Sequence, residues 1–289
     1  MELALLALLP LATAAILAYR PLVLLYDALG NRGLPLSALS VALLLTPVAP
    51  LCIGFRALFG PRGLLCLSIP VVTVVLAGVA AVVVPPYSAK APERVNIAYW
   101  EQTDSGASQW IVQPDSGVLP SPIRLAARFQ RASHGTIPWD ARPAFVATAP
   151  RLDFAPPTFT VLEASKANGR RMYRVLLRSE RGAPWAAALF PPSASVDSVS
   201  IGGRPMPPIS PIRDVYDGWT VYSCPAMPAG GIEIRFSVPV GKPIEISASD
   251  QSYGLPLEGR FLLNSRPPTA TSSQNGDVTI INRRVQLLP

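Results

Sequence analysis

The chain has 289 residues, 49% of them apolar and only 15% charged, with a formal net charge of +7 and a mean hydropathy of +0.33. Average soluble domains carry about 25% charge, so the composition argues against a wholly soluble protein; it also excludes disorder, because chains stay open when they lack apolar groups to bury. Thirty-three prolines, each without an amide donor, exclude an all-helical soluble bundle.

In chain order, three apolar stretches fill the first third, with spans predicted at about 3–26, 33–55 and 63–87. The first is uncharged from Leu3 to Tyr19 and continues past Arg20, whose stem can reach towards headgroups. The second (Gly33–Phe55) and the third (Gly63–Tyr87) are long enough, at ~1.5 Å per residue, to cross a ~30 Å hydrocarbon layer. Pro47, Pro50 and Pro70 would kink them, which membrane helices tolerate. Met1-Glu2 supplies no basic flank for a signal peptide, and this start suits a chain whose upstream portion is absent. The first loop carries Asp27 and Arg32, the second Arg56 and Arg62, so the positive-inside rule keeps the second loop cytoplasmic. The expectation is a multi-pass membrane protein partnered by the lipid bilayer. Residues 1–89 form its transmembrane region, and residues 90–289 lie outside the cytoplasm, periplasmic in a bacterium and luminal in a eukaryote.

Residues 90–289 read as one all-β domain, a β-sandwich. Strands are predicted at Arg94–Trp100, Gln109–Gln113, Thr158–Ala164, Arg171–Arg178, Val196–Ile201, Trp219–Ser223, Ile232–Val238, Ile244–Ser249 and Val278–Leu287. Asn168-Gly169 and Gly202-Gly203 supply the positive φ of tight turns. Two short helices are predicted, at Pro122–Gln130 and Leu257–Asn264.

The chemistry-bearing residues are few. Arginines (22, against three lysines) are scattered rather than gathered into a stripe, which argues against nucleic acid. Cys224 is the only cysteine of the polar part, so no disulfide closes within it. His134 is the only histidine, too few for a zinc enzyme, and no G-x-S-x-G elbow aims a serine towards it. Gly241-Lys242 runs into Pro243 and makes no P-loop. Asp214 and Asp217 could offer oxygens to calcium, but their spacing fits turn and cap duty better. Trp100, Trp110, Trp139, Trp185 and Trp219 all lie in the β domain, where core packing is the ordinary fate and a ligand platform the sharper alternative. In Asp250–Pro256, Asp250 can close an Asx-turn, Gly254 can take a positive φ and Pro256 can open a helix; Tyr253 is free for a binding role.

Arg94-Val95-Asn96-Ile97-Ala98-Tyr99 with Asp104 and Trp110, then Ser252-Tyr253-Gly254-Leu255-Pro256, Arg266-Pro267 and Gln274-Asn275-Gly276-Asp277-Val278-Thr279, form a set. With these residues the chain resembles the carboxy-terminal region of membrane-bound zinc metallopeptidases, the endoplasmic-reticulum metallopeptidase group of aminopeptidase-like enzymes. The resemblance implies membrane helices followed by a β-rich domain, and marks Asp250, Tyr253, Gly254, Leu255, Pro256, Gly276 and Asp277 as motif positions. In that family two zinc ions sit in an amino-terminal domain whose His, Asp and Glu ligands have no counterpart here. The resemblance therefore implies no catalytic residue, metal ligand or cofactor in this chain. The expected role is a non-catalytic membrane anchor and accessory β-domain of a truncated or split peptidase, with a catalytic domain or subunit as partner. A stand-alone module binding envelope glycan or peptide, and a structural subunit of a membrane complex, are the alternatives.

Overall fold

The computed structural model describes residues 87–132, 144–206, 219–241, 243–273 and 276–287. Alternation decides its first two strands. In β1 (Glu93–Gln102) Val95, Ile97 and Tyr99 project to one face and are buried. In β2 (Ala107–Pro114) Trp110 and Val112 join them, because the antiparallel register sets Tyr99 against Trp110 and Ile97 against Val112. The intervening loop closes on Gly106, whose φ of +68° a side chain would strain.

Twelve further strands follow: β3 (Gln130–Arg131), β4 (Phe145–Thr148), β5 (Thr158–Ala167), β6 (Arg170–Arg178), β7 (Trp185–Phe190), β8 (Asp197–Ile201), β9 (Arg204–Pro205), β10 (Thr220–Cys224), β11 (Ile232–Pro239), β12 (Ile244–Tyr253), β13 (Ala270–Thr271) and β14 (Val278–Leu287). They form a nine-stranded sheet, ordered β10-β7-β12-β14-β1-β2-β4-β3 with β13 beside β1, and a five-stranded sheet ordered β5-β6-β11-β8-β9. β1 runs parallel to β13 and β14; the other pairs are antiparallel. Asn168 and Gly169, both at positive φ, make the two-residue turn of the β5–β6 hairpin, as the Asn-Gly signal requires.

One face of the large sheet is covered by two different things. Over β7, β10, β12 and the end of β14 lies the five-stranded sheet, and Tyr173, Val175, Ile234 and Phe236 of the small sheet share a core with Ala188, Phe190, Tyr222 and Ile246 of the large one. Phe236 is its aromatic centre, with ring centroids 4.9 Å from Phe190, 5.4 Å from Tyr173 and 6.5 Å from Phe159. Over β1, β2 and β4 lie two short helices, α1 (Ser121–Ala126) and α2 (Arg260–Asn264), which seat Ile123 and Leu262 on Val95, Ile97, Tyr99 and Trp110. The opposite face carries Trp100, Ile111, Ala187 and Leu189 with Trp185, Trp219 and Val221 packed among them.

Several sequence expectations need correction. The expected fold class of a three-span helical anchor joined to a β-sandwich is contradicted by the described residues. About half of the described residues are in strands, α1 and α2 have six and five residues, and no helix among them is long and apolar enough to cross a membrane. The multi-pass membrane localisation, and the extracytoplasmic side assigned from it, fall with that class; the three spans themselves lie outside the described residues, apart from Tyr87. The helix expected over Pro122–Gln130 stops at Ala126, where Ala127 turns extended and the chain enters β3. β7 was absent from the expected strands because Trp-Ala-Ala-Ala-Leu-Phe shows no polar alternation. It is an inner strand buried on both faces, and alternation vanishes where neither face is wet.

Truncating the aromatic centre tests this packing. Phe236→Ala is expected to lower unfolding free energy by about 3–5 kcal/mol, read as a fall in urea midpoint.

Candidate functional site

The motif positions from four separate stretches meet at one corner, where β1, β12, β13 and β14 begin or end. Asp277 lies one residue before β14, and its Oδ1 accepts hydrogen bonds from the Ile97 amide (3.0 Å) and from the Arg266 guanidinium. The same guanidinium donates to the Val95 carbonyl at 3.3 Å. Gly254, just past β12, takes φ +84°; its amide donates to the Asp277 carbonyl (2.7 Å) and its carbonyl accepts from Thr279 Oγ1 (2.8 Å). Gly276 takes φ +67° and donates its amide to the Ser273 carbonyl, and Asn96 exchanges two hydrogen bonds with Ser273. Leu255 packs on the helix-covered core. Pro256 precedes a 3-10 turn (Leu257–Gly259) that leads into α2, and the Gly259 amide donates to its carbonyl. Gly259 lets this turn settle on Trp110, since a Cβ there would come within 2.9 Å of the indole ring. Tyr253, the last residue of β12, presents an exposed side chain, at 69% of its free surface.

Asp250 lies elsewhere, and its expected Asx-turn is a correction. β12 continues through it, so its side chain points into the covered face of the large sheet and is fully buried. Oδ2 accepts from Ser179 Oγ, and Oδ1 accepts from Arg181 Nε at 2.8 Å. Arg181 is itself spread over four acceptors: besides Asp250 Oδ1 it reaches Ser252 Oγ (2.8 Å), the Thr279 carbonyl (3.0 Å) and the Asp250 carbonyl (3.4 Å). Its guanidinium also stands 5.6 Å from the centre of the Phe154 ring. Burial pushes the Asp250 carboxyl above its ordinary range; Arg181 and Ser179 oppose that without overcoming it.

A third polar group is buried one strand beyond β14. The Tyr99 hydroxyl donates to Glu101 Oε2 and lies 3.0 Å from the Pro150 carbonyl, while the Leu152 amide donates to the same Glu101 oxygen. Burial, then the neighbouring carboxylate, pushes the Tyr99 phenol up. This arrangement fastens the chain after β4 to β1.

Chemically, the two aspartates are ion-paired fasteners. Asp250 has both oxygens occupied, and Asp277 spends one oxygen on an arginine and a backbone amide. Among the described residues no group of three or more His, Cys, Asp and Glu could hold a metal ion. His134, Trp139, Asp214 and Asp217, weighed from sequence, lie outside the described residues. Trp100 and Trp110 are buried, and Trp185 and Trp219 are partly buried. Sequence reading missed Ser179, Arg181 and Glu101 altogether. An arginine just beyond a strand end gives no local sign that it pairs with a carboxylate 69 positions later.

Comparison of the chain with protein-family models and with curated proteins returns no match.

Arg181→Ala is expected to cost about 3–5 kcal/mol, because it strands a buried carboxylate; urea unfolding measures it. The pH dependence has a definite sign. The folded-state value of Asp250 lies above the unfolded value of 3.8, so its contribution is fully present below pH 3.8 and is lost as pH rises through the folded value. Asp250→Asn removes that falling component, so its urea midpoint should decline less from acid to neutral pH than that of the wild type.

Proposed function

We propose that this β domain is the non-catalytic accessory domain of a zinc-metallopeptidase-like protein. It supports and orients a peptidase domain or subunit that supplies the metal chemistry. The observation that carries this reading is the convergence of the motif residues. Arg94–Tyr99, Ser252–Pro256, Arg266 and Gly276–Thr279 are far apart in sequence, yet they join through Asp277 and Gly254 in one hydrogen-bonded corner. A set of residues that builds one corner is what a shared structural unit would retain. The accessory character follows from the use of the carboxylates: a zinc centre needs carboxylates and imidazoles free to bind metal, whereas Asp250 and Asp277 are committed to Arg181 and Arg266. The alternative of a glycan-binding module asks for solvent-facing indoles, and the four described tryptophans are instead packed against neighbouring side chains.

The full chain, supplied with Zn2+ and a set of aminoacyl and peptide substrates, is expected to release no product above the uncatalysed rate. Affinity purification from its native cells should bring down a two-zinc peptidase, identified by mass spectrometry. Chelator-sensitive turnover by the chain alone would falsify the reading.

A further inference from the structure

The helical cover of the large sheet is apolar on both sides. Its inner side seats Ile123 and Leu262 in the core. On its outer side Leu125 is 85%, Leu257 75% and Phe261 40% exposed, and Tyr253 stands beside them at the end of β12. The elements that carry them adjoin in the fold. Leu257 and Phe261 are four residues apart on successive helical turns, α1 packs against α2, and Tyr253 ends the strand from which Gly254, Leu255 and Pro256 lead to the 3-10 turn. Single exposed leucines are ordinary, but several exposed apolar side chains gathered on adjoining elements of one rigid mount mark an interaction surface. The mount is rigid for stated reasons: Gly259 sits against Trp110, the Phe261 ring contacts Trp110 edge-on at 6.1 Å, and the preceding turn is fastened through Gly254 to Asp277 and Thr279.

The rim has a sign. Arg124 and Arg128 flank Leu125, Arg260 lies between Leu257 and Phe261, and all three are exposed; Glu258 is the acidic residue among them. Arg174, by contrast, is tied to Glu163 and Glu233, and Arg284 to Glu245. Here three arginines face one glutamate. A second copy of the chain docked by the same patch would set arginine against arginine, so self-association is disfavoured by charge.

We propose that the surface formed by Tyr253, Leu125, Leu257 and Phe261 docks another protein through a patch with an apolar centre and an acidic rim. The apolar side chains supply the buried centre and the arginines set orientation and association rate. The surface does not require the partner to be a peptidase, so its test stands apart from the accessory-domain reading.

The test uses the full chain in its native cells, carrying a photoreactive phenylalanine analogue at position 257 and, as control, at Val240, an exposed residue in the turn after β11. Illumination is expected to join position 257, and not position 240, to one protein whose cross-linked peptide is acidic. Combining Arg124→Glu with Arg260→Glu should reduce the adduct on the order of tenfold. The double lysine variant should keep it, and equal urea midpoints show that both variants are folded. An adduct to a protein other than a peptidase supports the docking surface and counts against the accessory-domain reading. No adduct, an adduct to the chain itself, an adduct to lipid, or one indifferent to charge reversal overturns the docking surface.

Discussion

One sheet face covered by two unlike layers is the constraint on which the rest depends. The nine-stranded sheet is too wide for its small partner. Five strands cover β7, β10 and β12, and the remaining apolar surface of β1, β2 and β4 is closed by two helices of six and five residues. A seam between two covers is where water would enter, and it is there that the fold places Asp250 and its partners Ser179 and Arg181. Arg181, beyond the end of β6, belongs by connection to the small sheet, yet it pairs with Asp250 of the large sheet and stands over Phe154 of the helix-covered core. It fastens three parts at once. The carboxylate is costly there, and burial dominates its titration, but the alternative at a seam is an open crevice.

The corner at Asp277 solves a second problem of the same sheet. β1 is flanked on one side by two parallel strands, β13 along its start and β14 along its second half, so one edge of β1 changes partner in mid-strand. Between the two ladders the amide of Ile97 has no strand to bond, and the Asp277 carboxylate accepts its hydrogen bond. Arg266 neutralises that carboxylate and takes up the Val95 carbonyl. Four stretches of sequence therefore depend on each other for backbone satisfaction. A chain that keeps this corner also keeps α2 and the exposed apolar group on its outer side. In that sense the motif residues are the foundation of a surface rather than a site of reaction.

Much of the β domain is legible locally. Val95, Ile97 and Tyr99 alternate because one face of β1 is buried and the other is not, and Asn168-Gly169 turns the chain because both residues reach positive φ cheaply. Other elements are illegible for equally physical reasons. β7 is buried on both faces and shows no alternation, and β3, β9 and β13 are two residues long and exist only through their partners. The apolar character of the first third is plain in the sequence, but hydropathy states only that residues avoid water. Reading it as a helical membrane anchor was an inference about surroundings, and no helix among the described residues bears it out.

Sequence alone determined the strand-rich character of residues 93–287, the tight turns that demand glycine, and the scarcity of histidine and cysteine that bounds the available metal chemistry. Each of these follows from steric or compositional facts about neighbouring residues. Only the tertiary structure decided that Asp250 is a buried partner of Arg181 rather than a turn residue, that Asp277 completes a broken ladder, and that Leu125 and Leu257 stay exposed while Phe261 is part-covered by Trp110. Those outcomes depend on contacts between positions 69, 180 and 171 residues apart. Charge pairing and burial at such separations are set by how the covers meet over the sheet, and no local pattern encodes that.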